Sequence, residues 1–159
     1  MLASLENIGN VVRNAETKSD QYQERRYRNK PVLLERDEGL NMLKQMLSIR
    51  HFDDLKEIPG FSTSSIIKEI ATDDQVGAAR CEDDSLVVNI QDKWGSHRSY
   101  HLFQDGDNNG PEGMLMSYFS LDMNTGIEEH AILTSEKQLL VTCGKGGRNI
   151  PYMIDLSSR

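Results

Sequence analysis

The hydrophobic period of this chain changes near residue 80, and that change restricts the folds open to it. Upstream, apolar residues recur at helical spacing. Leu5, Ile8, Val12 and Ala15 share one face of a predicted helix, and Leu40, Leu43 and Leu47, with Met46 beside them, form a second stripe. Asp37 and Glu38 stand where a helix start favours negative charge. Glu16 to Glu24 is nearly devoid of apolar residues and reads as a frayed helix end or a linker. Pro59-Gly60 breaks the chain, and Ser62 to Ser65 offers N-caps for a short helix over Ile66, Ile67, Ile70 and Ala71. Downstream the period is two. Leu86, Val88 and Ile90 alternate with Val87, Asn89 and Gln91, and five more strand-like segments follow at Ser99–Gln104, Met114–Leu121, Glu129–Leu133, Gln138–Cys143 and Ile150–Leu156. Their connections are turn-like: Lys93-Trp94-Gly95-Ser96, Asp105 to Pro111, Asn124-Thr125-Gly126 and Gly144 to Gly147. Helices first and closely spaced strands later predict an α+β fold, with N-terminal helices packed on a mainly antiparallel sheet. A length of 159 residues suits one domain, read as a helical extension over 1–24 and an α+β core over 25–159.

Charge narrows the partners. Residues 1–50 carry nine Lys/Arg and seven Asp/Glu, a sum of +2, whereas residues 51–159 carry nine and eighteen, a sum of −9. An excess of acid over the strand-rich region argues against a nucleic-acid partner, whose phosphates need clustered cations, and against an anionic membrane surface. No apolar run approaches the roughly 20 residues of a membrane span, and the first residues lack the basic and apolar regions of a secretory signal. The expected location is the cytoplasm, or a host cytosol reached without an ordinary signal peptide. Cys81 and Cys143 are isolated, which excludes a disulfide scaffold and a cysteine zinc cluster.

Several motifs fail on chemistry. Gly144-Lys145-Gly146-Gly147 is followed by a strand and lacks the spacing of a phosphate loop, so a hairpin turn is the reading. Asp105, Asp107 and Asn109 begin a calcium-loop pattern, but Met116 stands where the closing glutamate is required. His97 and His101 are four apart in a strand, roughly 13 Å along it, too far to chelate one ion without a bend. No metal is expected. No G-x-S-x-G elbow exists for a serine hydrolase, and Cys143 reads as a core strand residue.

Three pieces occur in order: Tyr27-Arg28-Asn29, then Pro59-Gly60-Phe61-Ser62-Thr63-Ser64, then Glu128-Glu129 followed by His130-Ala131-Ile132-Leu133. Together they resemble the R–S–E pattern of mono-ADP-ribosyltransferases, over roughly residues 25–156. The resemblance implies an NAD site opened by Arg28, with Arg26 as its alternative. It implies that Ser62, Thr63 and Ser64 hold the cofactor and a carboxylate in register, and that Glu129, with Glu128 as near rival, is the catalytic acid. A guanidinium suits a pyrophosphate through paired hydrogen bonds, and a carboxylate stabilises the positive charge that develops on the ribose as nicotinamide leaves. Ile127 stands two residues before Glu129, where the family often has Glu or Gln, so an arginine acceptor is not implied. Of the two acids, Glu129 shares its strand face with Ala131 and Leu133 and is expected to point inward.

A second class competes: a small acidic protein-binding module without catalysis, such as an immunity protein, a phage inhibitor or a secretion chaperone. Its warrant is the −9 excess, which steers a basic protein partner. A nuclease built on His97, Arg98 and His101 is a third arrangement, poorly matched to an acidic chain.

Overall fold

A computed structural model describes residues 31–49, 52–81, 85–104 and 113–157. Eight strands, β1 (Val32–Leu34), β2 (Gln75–Arg80), β3 (Leu86–Gln91), β4 (His97–Gln104), β5 (Met114–Leu121), β6 (Ile127–Leu133), β7 (Gln138–Lys145) and β8 (Arg148–Asp155), form one sheet in sequence order. Every neighbouring pair is antiparallel. The one α-helix among the described residues, α1 (Arg36–Ile49), lies between β1 and β2.

This corrects the expected fold class. Over the described residues the protein is mainly β, 48% strand and 22% helical, rather than an α+β assembly of helices packed on a sheet. Two strands account for part of the difference. β1 is three residues long, and β2 contains Gly77-Ala78-Ala79, whose small side chains carry no alternating signal. Pairing with β3 makes β2 a strand, through partners such as Ala78↔Val88 and Val76↔Ile90. The serine-capped helix is the other correction. Phe61–Thr63 and Ser65–Ile67 are single 3₁₀ turns, separated by Ser64 and ended by Lys68, both in extended backbone conformation. The first helical stripe, the 1–24 extension, Arg26 and Arg28 lie outside the described residues.

One face of the sheet is covered. Register places three rows across it: Leu86, Leu102, Met116, Leu133 and Leu139 deepest; Val88, Tyr100, Tyr118, Ala131 and Val141 above them; then Ile90, Arg98, Ser120, Glu129 and Cys143. The two lower rows are buried and join one core cluster with Leu40, Leu43, Phe52, Leu55, Phe61 and Ile66 from the covering segments. Each fully buried Leu or Phe contributes about 1.5–3 kcal/mol of transfer free energy. Helix α1 approaches closely because Gly39 faces Ala78: a Cβ on Gly39 would stand 2.3 Å from the Ala78 Cβ. The third row departs from this pattern, for it sets polar side chains at the end of an apolar face.

Candidate active site

Glu129 sits in that third row on β6, 6% exposed, on the same face as buried Ala131 and Leu133. Two serines from the 3₁₀ segment meet it. The Ser64 hydroxyl donates to Glu129 Oε1 at 2.6 Å and accepts from the Ile66 amide at 3.2 Å. The Ser65 hydroxyl lies 3.3 Å from the same carboxylate oxygen, 2.8 Å from Ser120 Oγ, and in contact with Tyr118 Oη. The local backbone explains why Ser64 reaches so far. Its extended φ/ψ of −67° and 135° interrupts the helical turns and aims its side chain at the sheet.

Burial raises the Glu129 pKa, because removing the carboxylate from water penalises its charge, while hydrogen bonds from Ser64 and Ser65 oppose the shift. Burial likewise pushes Tyr100 and Tyr152 up to about 12, and Tyr118 higher still, so all three remain protonated donors. The Cys143 thiol is raised by its own burial and by the neighbouring Glu129 charge. It is therefore a poorer thiolate nucleophile than an exposed cysteine.

The carboxylate opens into a cleft of about 610 Å³, walled by Pro59, Gly60, Phe61, Ser120, Cys143 and Tyr152. That volume falls within the range of small-molecule sites. Phe61 and Tyr152 meet edge to face at 6.5 Å between ring centroids. Asp122 and Glu129 are the charged residues of the described lining, and no Lys or Arg joins them. The wall therefore suits a cationic, partly aromatic group. It supplies no cation for a pyrophosphate, a role the sequence pattern gives to Arg28, outside the described residues.

The remaining motif residues separate. Thr63 lines the cleft and donates to the Gly60 carbonyl at 2.8 Å, whereas Ser62 is exposed. Glu128 faces the opposite side of the strand, about half exposed, 3.8 Å from His130. His97 and His101 likewise lie on the face opposite to Arg98, which disperses the nuclease arrangement. No group of three or more His, Cys, Asp or Glu able to hold a metal occurs among the described residues. Sequence reasoning did not find Ser65, Tyr118, Ser120 or Tyr152, because only strand register and the path of the 3₁₀ segment bring them to Glu129.

No described helix is long and apolar enough to cross a membrane. Comparison with family models, curated proteins and solved structures finds no match to this chain.

Proposed function

We propose that the protein is an NAD-dependent mono-ADP-ribosyltransferase that modifies a protein target, with Glu129 as its catalytic acid, working in the cytoplasm or in a host cytosol to which it is delivered. One observation carries the reading: the Ser64–Glu129 hydrogen bond of 2.6 Å, which joins two motif pieces 65 residues apart, with Glu129 in the wall of a cleft. Ser64 and Ser65 fix the Glu129 carboxylate before substrate arrives. Tyr152, partly buried in the cleft wall and backed edge to face by Phe61, offers an aromatic surface to the nicotinamide ring. As the bond between nicotinamide and ribose breaks, nicotinamide leaves with the bonding pair and the ribose carbon becomes electron-poor. Glu129 stabilises that charge, and its shielding from water strengthens the effect. A nucleophilic side chain of the target bonds to the same carbon and loses a proton. In the absence of a target, water takes that place and free ADP-ribose forms. Release of nicotinamide from NAD, followed by chromatography, tests the reading. Turnover that Glu129→Gln abolishes supports it, and no nicotinamide release by the wild type at millimolar NAD overturns it.

A second reading rests on a different observation. Trp94 and Met123, 61% and 56% exposed, stand on adjacent hairpin turns that also carry Asp92 and Asp122. The Met123 amide donates to Ser96 Oγ at 2.9 Å, which ties the two turns together. This fits docking of a basic protein partner through an apolar anchor. Association that slows as salt rises, and that Trp94→Ala weakens, supports it. An association rate indifferent to ionic strength removes it.

A further inference from the structure

Arg98 is 6% exposed on β4, in the same cross-sheet row as Ser120 and Glu129. Its Nη1 donates to the Ser65 carbonyl at 2.8 Å, the Lys68 carbonyl at 2.6 Å and Tyr100 Oη at 3.3 Å, and its Nη2 donates to the Glu69 carbonyl at 3.2 Å. These acceptors are neutral oxygens, three of them on the backbone of residues 65–69. Within this segment a single 3₁₀ bond, from the Lys68 amide to the Ser65 carbonyl at 3.3 Å, closes the turn, and a turn this short leaves its later carbonyls to partners outside it. The guanidinium fork adds a second bond to the Ser65 carbonyl and supplies the Lys68 and Glu69 carbonyls from the sheet. Tyr100 adds one more, donating to the Ile66 carbonyl at 2.8 Å.

The consequence reaches the carboxylate. Ser65 is held at both ends, its carbonyl by Arg98 and its hydroxyl among Tyr118, Ser120 and Glu129. Ser64 precedes it directly and bonds Glu129. We infer that Arg98 is a positioning residue for Glu129: it ties the Ser65–Glu69 backbone to β4 and so keeps the Ser64 and Ser65 hydroxyls on the carboxylate. Lysine would serve poorly, since one compact ammonium cannot span the same set of carbonyls.

The kinetic part of this inference rests on the transferase reading, and the structural part does not. Two variants, Arg98→Lys and Arg98→Met, are compared with the wild type by NMR of protein labelled with carbon-13 at the glutamate carboxyl carbons, without NAD. The Glu129 signal is assigned from its loss in Glu129→Gln. With the segment released, water reaches the carboxylate and its titration midpoint falls towards the ordinary glutamate range in both variants, because burial is the larger cause of its elevation. A midpoint unchanged in both would overturn the inference. A rise in Arg98→Met with no change in Arg98→Lys would overturn it too, by assigning Arg98 a purely electrostatic part. If Arg98→Met does not fold, Arg98→Lys alone decides. Where the wild type turns over NAD, Arg98→Lys is expected to lower kcat roughly ten- to hundredfold with KM little changed. An inactive wild type with the midpoint shift intact would sink the transferase reading and leave the positioning role standing.

Discussion

Replacing Ser64 by alanine tests the contact on which the site depends. Ser64 is 5% exposed and its hydroxyl makes two bonds, one to a carboxylate and one from the Ile66 amide. A hydrogen bond to a charged group contributes about 1.5–3 kcal/mol, and loss of a side-chain cap costs about 0.5–2 kcal/mol. The two are not independent, so Ser64→Ala should cost about 2–4 kcal/mol at neutral pH. That corresponds to roughly 5–15 °C in melting temperature for a chain of this size. In a Glu129→Gln background the acceptor is a neutral amide, whose bond contributes only about 0.5–1.5 kcal/mol. The same substitution should then cost less, leaving a coupling of about 1–1.5 kcal/mol in the double-mutant cycle. Urea unfolding of the four proteins measures every term. Ser64→Ala within about 0.5 kcal/mol of the wild type, or an equal cost in both backgrounds, would refute the reasoning, since surface changes alone stay inside that margin.

Glu129→Gln should itself stabilise the fold at neutral pH. The folded-state pKa of Glu129 is raised, so its contribution is fully present below the unfolded value and is lost as pH rises through the folded one; the advantage of the glutamine variant should grow over that interval in a pH series of urea melts. In an NAD hydrolysis assay the same ionisation should appear as an acidic limb, with the rate rising with pH and its midpoint above the ordinary carboxylate range. Glu128→Gln, on the exposed side of the strand, should change stability by less than about 0.5 kcal/mol and leave nicotinamide release intact. Gly39→Ala should destabilise despite the better helix propensity of alanine, worth about 1 kcal/mol, because the added methyl meets the Ala78 Cβ at 2.3 Å and overpacking costs about 1–3 kcal/mol; a more stable variant in thermal melts would show that α1 shifts freely on β2.

How much of this was legible in the sequence follows from how local each signal is. Strands β3 to β8 announce themselves through a period of two, as where Leu86, Val88 and Ile90 alternate with Val87, Asn89 and Gln91 and face one core. Helix α1 is equally local, with its leucine stripe and its Asp37 and Glu38 start. Strand β2 is not, since Gly77, Ala78 and Ala79 say little by themselves and become a strand only through β3. The run Ile66, Ile67 and Ile70 has helical spacing, yet it closes a single 3₁₀ turn, with the Lys68 amide on the Ser65 carbonyl, and Arg98 bonds the Ser65, Lys68 and Glu69 carbonyls from the sheet. Tertiary hydrogen bonds thus override a local pattern and make the segment a strap rather than a helix. In the candidate site, Ser64 and Glu129 were visible through their motif. Ser120, Cys143 and Arg98 became visible only through register, which places them beside or two strands from Glu129.

The most direct measurement of the central claim is nicotinamide release from NAD by the wild type, Glu129→Gln and Glu128→Gln at matched concentration, each shown folded by circular dichroism. The account predicts measurable release by the wild type, release close to it by Glu128→Gln, and none above the uncatalysed rate by Glu129→Gln. Equal release by all three folded proteins, or none by the wild type, would contradict it, leaving Glu129 as a buried acid that anchors the 3₁₀ segment to the sheet.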